Sequence, residues 1–163
     1  MNKMNAINKY RLERWFYIHH CMPIAWLIRS WIYLIHNSFI PYTCEIGKGT
    51  EFGYKGIGVV IHSEAKIGDD CKIGTNVTIG GGGGGSNKKI TEFDSIRGNG
   101  VPVIGDRVHI STGAKVIGAI VVGNDAIIGA NAVVINDVPA GAVVGGVPAR
   151  ILRMRTVLQL DAE

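Results

Sequence analysis

The chain has 163 residues, of which 23 are Gly and 39 are Ile or Val, with 18% charged residues and a formal net charge of +4. That length holds one compact domain plus a short appendage, and the pairing of Gly with β-branched residues suits a tightly turning β-architecture and excludes a disordered chain. Scattered Lys and Arg argue against a nucleic-acid partner, and three widely spaced cysteines, Cys21, Cys44 and Cys71, fit neither a disulfide framework nor a CxxC metal site and point to a reducing cytoplasm.

In chain order, the residues around Leu12, Trp15 and Phe16 read as a first helix. A second begins near Ile24, where Ile24, Leu27, Ile28, Trp31 and Ile35 keep helical spacing and Trp26, Ile32 and Tyr33 add apolar surface on the other side. Pro23 marks the junction. The second helix is expected to be buried against something, and residues 1–40 form a helical cap. The apolar run 23–40 is broken by Arg29 and His36, so it reads as neither a signal peptide nor a clear spanning helix. Contact with a membrane surface stays open.

Beyond the cap the pattern changes. Ile61, Ile67, Ile73 and Ile79 recur every six residues, and so, after an interruption, do Ile104, Ile110, Val116, Val122, Ile128 and Val134. Four positions after each lies a second small or apolar series, Ala65, Cys71 and Val77, then Val108, Ala114, Ile120, Ala126, Ala132 and Val138. Both series must point inward. Gly follows the apolar position at 68, 74, 80, 105, 123 and 129, as expected where the backbone turns sharply. Hexads of this kind predict a left-handed parallel β-helix over residues 41–150, each flat side taking one hexad. Its two ends need covering: the cap serves one, and a helix within residues 151–163 is expected at the other. The Gly-rich interruption 81–103 reads as a loop ejected from the coil, a common place for function.

By this point the residues resemble a known family. The stretches Val77-Thr78-Ile79-Gly80-Gly81, Thr112-Gly113-Ala114-Lys115-Val116-Ile117-Gly118, Ile128-Gly129-Ala130-Asn131-Ala132-Val133-Val134 and Gly146-Val147-Pro148-Ala149-Arg150 are similar to those of bacterial serine acetyltransferases and their relatives in polysaccharide gene clusters, within the hexapeptide-repeat acyltransferases. The resemblance implies a homotrimer with sites between subunits, acetyl-CoA as donor, and neither a metal nor a covalent intermediate. It also implies that acetyl-CoA runs along the coil near Gly80, Gly81, Ala114 and Ala132, with basic help near Arg150. Independently, a pantetheine arm laid on a coil needs small residues and bare backbone amides. Lys88, Lys89 and Arg97 on the loop, or Arg150, Arg153 and Arg155 at the end, are candidates for the CoA phosphates.

Acetyl transfer needs a base for the acceptor and donors for the tetrahedral oxyanion. Of five histidines, His19, His20 and His36 lie in the cap and read as surface or packing residues. His62 occupies a hexad slot that is elsewhere Gly and is the first candidate base. His109, just before inward-facing Ile110 and near the ejected loop, is the second, and a joint site with one histidine from each of two subunits is the third arrangement. The chain also departs from serine acetyltransferases. Their Asp-His pair aligns with Tyr54 and Lys55, a supporting Asp with Ile40, and a second active-site His with Val101, while the pattern Gly-Val-Val-Ile-His ending at His62 matches the polysaccharide-associated relatives. No charge pair for the ammonium and carboxylate of a free amino acid is evident. The expected activity is therefore acetyl-CoA-dependent O-acetyl transfer, nearest to serine O-acetylation, with Gly80 and Gly81 offering oxyanion donors and the ejected loop shaping the acceptor pocket. A sugar O- or N-acetyltransferase and a non-catalytic β-helix module are the rival readings.

Overall fold

The computed structural model describes residues 5–81 and 100–155. It opens with two helices, α1 (Ala6–Ile18) and α2 (Met22–His36). The Asn5 side chain caps α1 by accepting the Ile7 N–H at 3.2 Å. Pro23 sits in the first turn of α2, where its missing N–H forfeits no helical bond, and Asn37 ends that helix in the left-handed region. α2 packs on α1 through Ala25, Ile28, Ile32 and His36. The expected apolar stripe is thus mostly the wrong face, since Ile24, Leu27, Trp31 and Ile35 are exposed and only Ile28 is buried. Size explains the choice: Ala25 lets the helices approach closely, with Ile28 and Ile32 filling the groove on successive turns, whereas the indole of Trp31 would hold them apart.

α1 seals the end of the β-region. Ala6, Ile7 and Tyr10 are buried there. The Tyr10 hydroxyl donates to the Cys44 carbonyl at 2.7 Å, and Arg14 Nη1 donates to the carbonyls of Tyr42 and Cys44, each at 2.8 Å. These carbonyls have no preceding turn of chain to bond, so the helix supplies the donors. Inside the cap, Glu13 is fully buried and neither carboxyl oxygen finds a hydrogen-bond partner among the described residues. Burial pushes its carboxyl up to about 8, against the opposing pull of Arg29 and the nearby Tyr42 backbone.

The strands are β1 (Glu45–Ile46), β2 (Glu51–Phe52), β3 (Val60–Ile61), β4 (Lys66–Ile67), β5 (Lys72–Ile73), β6 (Thr78–Gly80) and β7 (Val103–Ile104). They continue as β8 (His109–Ile110), β9 (Lys115–Ile117), β10 (Val121–Val122), β11 (Ile127–Ile128), β12 (Val133–Val134), β13 (Ala142–Gly146) and β14 (Ala149–Met154). Through β12, successive strands enter three parallel sheets in rotation: β1-β4-β7-β10, β2-β5-β8-β11 and β3-β6-β9-β12. Every residue of the two inward series is at most 5% exposed, and they belong to one hydrophobic cluster shared by the three sheets. At the corners the side chains of Asp69, Asp106 and Asn124 accept the amides of Lys48, Asp69 and Asp106 in the neighbouring turn at 2.7, 2.9 and 2.9 Å. The left-handed residue of each corner is not the expected Gly but a residue two positions later, such as Asp70, Asn76, Asp125 or Asn131. Gly74 is needed for closeness instead: a Cβ there would stand 2.5 Å from the Thr112 amide nitrogen of the next turn.

Register locates two insertions. β3 pairs with β6, and β8 with β11, at an offset of 18 residues, but β5 pairs with β8 and β6 with β9 at 37, so 19 extra residues lie between β6 and β7. This is where the ejected loop is expected; its residues 82–99 lie outside those described. A second insertion makes the β1–β4 and β2–β5 offsets 21. Its three extra residues fall in the Gly53–Gly56 turn, in which Tyr54 and Lys55 both take left-handed conformations. At the far end the expected helix does not begin at 151: residues 149–154 form β14, antiparallel to β13. The turn at 146–148 reverses the chain, and the open edge of β13 offers ladder bonds that a helix would leave unmade. Residues 156–163 lie outside those described.

Candidate active site

His62 follows β3 and is half-buried at the corner leading out of the third sheet. Its amide donates to the Ile79 carbonyl at 2.8 Å, which sets it beside Gly80 of the neighbouring strand. The Glu64 N–H donates to its Nδ1 at 3.2 Å, so the neutral ring carries its proton on Nε2. Gly81 completes the corner. A Cβ placed there would lie 3.7 Å from His62 Cδ2 and 3.4 Å from both the Gly100 carbonyl oxygen and Val101 Cγ1. Thus Gly100 and Val101, where the described chain resumes, lie against Gly81, which itself stands beside His62, and Val101 is the residue that aligns with the family's second histidine. Gly80 and Gly81 have neither a left-handed φ nor a backbone atom closer than 3.4 Å to a built Cβ. Unlike Gly74, they are not demanded by local packing.

His109 stands elsewhere, in β8 on the outer face of the second sheet, between Lys72 and Ile127 in register. The structure therefore does not bring the two histidines together within one chain. It does place His109 in an open cleft of about 320 Å³ with Glu51, Lys72, Tyr54, Ser111 and Thr112. The Gly53–Gly56 insertion forms one wall, and Tyr54, 81% exposed with φ at 46°, stands over it. Two consecutive non-glycine residues in this region carry backbone strain of about 1 kcal/mol each, held here by the surrounding turn. Sequence reasoning missed Glu51, Lys72 and Tyr54 as neighbours of His109. The outward slot one residue before each inward residue, taken every third strand once the three-residue and 19-residue insertions are set aside, puts Glu51, Lys72 and His109 on one side.

The other candidates separate cleanly. Ala114 and Ala132 are fully buried, their amides donating to Ser111 and Gly129 and their carbonyls accepting from Thr78 and Lys115. Their side chains belong to the inward series and fill the interior. Arg150 is exposed in β14, its guanidinium donating to the adjacent Ala149 carbonyl at 3.0 Å. Lys88, Lys89 and Arg97 lie outside the described residues. His19 is exposed and stacked on Trp15. His36 is buried with its Nε2 2.7 Å from Lys9 Nζ, and burial together with Lys9 and Lys55 lowers its pKa. Burial pushes the Cys44 thiol up to about 12 and raises Cys71 as well, which leaves neither a ready nucleophile. Among the described residues no cluster of His, Cys, Asp and Glu could hold a metal ion.

Fold and site define a class: a mainly β chain of three parallel sheets under a two-helix cap, with polar corners where turns of chain meet. The comparisons are specific about which. No protein-family model matches the chain. A serine acetyltransferase of Bacillus pumilus is 41% identical over 149 residues, 91% of this chain and 63% of that protein. One of Mycobacterium tuberculosis is 46% identical over 95 residues, 58% of this chain and 37% of that protein. The crystal structure of serine acetyltransferase in complex with coenzyme A from Brucella abortus superposes with a TM-score of 0.80 at 32% identity, covering 93% of this chain and 56% of that one. In sequence and fold the chain is serine acetyltransferase-like, and it spans about half the length of such relatives, 56% of one from Helicobacter pylori.

Proposed function

We propose that the chain is an acetyl-CoA-dependent O-acetyltransferase, most like serine O-acetyltransferase, built as a left-handed parallel β-helix and working as a homotrimer in the cytoplasm. The observation that carries this reading is His62 beside Gly80 and Gly81, glycines that local packing does not require. The acceptor hydroxyl takes the place of the Glu64 amide as donor to His62 Nδ1, a long and exposed bond that is readily exchanged. As that proton moves to the ring, the acceptor oxygen attacks the thioester carbonyl. Backbone N–H groups around Gly80 and Gly81 hold the oxyanion. Collapse breaks the carbon–sulfur bond, and the imidazolium returns its proton to the departing CoA thiolate. Arg150 meets a CoA phosphate, and the segment 81–103 shapes the pocket.

The acceptor charges missing from the sequence have candidates in the cleft. Glu51 suits an ammonium and Lys72 a carboxylate, the set a free hydroxyl amino acid requires. Because this cleft and His62 lie on different sides of one chain, the reading needs the cleft of one subunit and the His62 corner of its neighbour to form a joint site. A sugar acceptor is the second reading, favoured by the exposed Tyr54 ring, a flat wall for a pyranose. The test is an acceptor screen reading thiol release from acetyl-CoA across serine, homoserine and a panel of free and nucleotide-linked sugars. Serine-dependent release is expected; release with sugars alone selects the second reading, and release with none rejects transfer to either class.

A further inference from the structure

We propose that the outer face of α2 docks on an anionic lipid surface. The helix is apolar on both sides. Its inner residues are used against α1, but Trp26, Leu27, Trp31, Tyr33 and Leu34 on the outside are 58–78% exposed, and the Lys9 ammonium stands over the Trp31 ring at 5.8 Å. A helix greasy all round needs a second apolar partner. All three tryptophans of the chain, Trp15, Trp26 and Trp31, lie on this cap and each is more than half exposed, the aromatic enrichment of a water–lipid boundary.

Charge selects the partner. Residues 1–44 contain five Lys and Arg but one acid, Glu13, which is buried. Among the described residues, Lys9, Arg11, Arg14 and Arg29 bond carbonyls, His36 or the Tyr42 ring and form no ion pair with a carboxylate, so their charge is oriented but not cancelled. The cap therefore carries net positive charge, with Lys9 placed directly over Trp31 of the apolar face. A second copy would bring the same positive charge to the contact, which disfavours cap-to-cap pairing, whereas anionic headgroups complement it. At 15 residues α2 is about 22 Å long, short of the roughly 30 Å hydrocarbon core, and no described helix is long and apolar enough to cross a membrane. The helix would lie in the interface plane.

The test is co-sedimentation of the full chain with vesicles of phosphatidylcholine alone and of equal parts phosphatidylcholine and phosphatidylglycerol. Binding to the mixed vesicles, weakened by salt and accompanied by a blue shift of tryptophan emission, is expected. The double variant Trp31→Glu/Leu34→Glu changes only exposed positions, and circular dichroism checks its fold; its partitioning should fall about tenfold or more. Trp31→Ser, which adds no charge, should weaken binding by a smaller factor. Absence of binding to mixed vesicles overturns the proposal, as does equal binding by wild type and the double variant. A wild-type assembly that the double variant halves in mass, with neither binding vesicles, makes the face a protein interface and equally overturns it.

Discussion

Replacing Glu13 by Gln isolates the electrostatics of the cap. The wild-type carboxyl is fully buried without a hydrogen-bond partner among the described residues, and its pKa rises from 4.5 to about 8 on folding. The folded state therefore holds this proton more tightly than the unfolded one, so the contribution is fully present below pH 4.5 and is lost as pH climbs through 8. Linkage puts the loss between pH 5 and pH 8 at about 3 kcal/mol, a large share of a typical domain's stability. Gln keeps the shape and cannot ionise. His36 titrates in the opposite sense, its lowered pKa removing stability as pH falls, but it is common to both proteins and cancels in the difference. Urea unfolding of wild type and Glu13→Gln at pH 5, 6, 7 and 8 should show the variant gaining on wild type by about 3 kcal/mol across the series. Parallel stability curves would refute the reasoning and mean that Glu13 is solvated or paired in solution.

Other substitutions address the site. His62→Ala should lower turnover by roughly two to four orders of magnitude with the unfolding midpoint and oligomer mass unchanged; near-normal turnover would transfer the role to His109. Gly74→Ala, whose Cβ would stand 2.5 Å from the Thr112 nitrogen, should cost about 1–3 kcal/mol in unfolding free energy. Gly80→Ala, whose nearest contact is the flexible Ile117 Cδ1 at 3.4 Å, should stay within about 0.5 kcal/mol of wild type yet weaken acetyl-CoA binding in a calorimeter. Equal destabilisation by the two would return Gly80 to a packing role. Lys72→Ala should raise the KM for serine and leave that for acetyl-CoA unmoved; an unchanged serine KM removes the cleft from acceptor binding.

The interior was legible because it is strictly periodic. Ile61 through Val134 and the small series from Ala65 to Val138 are all buried, since successive strands entering three parallel sheets in rotation meet the same demand at each of them. Legibility failed where that demand changes. Gly occupies its slot because Thr112 and its counterparts approach too closely, not because the turn needs a left-handed residue, and the Asp and Asn that do turn the chain sit two positions later. α2 was readable as a helix but not as to its buried side, because Ile24, Trp31 and Ile35 satisfy helical spacing as well as Ala25, Ile28 and Ile32 do. The grouping of Glu51, Lys72 and His109 was hidden by the two insertions, which shift the register by three and then by 19 residues and so conceal which outward slots share a side. His62 stood out in the sequence as a histidine in a glycine slot, and what the sequence did not reveal was that Gly81 stands beside it and that Gly100 returns to Gly81.

The central claim is that this chain uses acetyl-CoA. Titration of the full chain with acetyl-CoA in a calorimeter tests it most directly: the account predicts saturable binding with one site per chain and a dissociation constant between about 1 μM and 1 mM. A flat heat trace at several temperatures, with no thiol released in the presence of serine or sugars, would contradict it and leave a β-coil without catalysis.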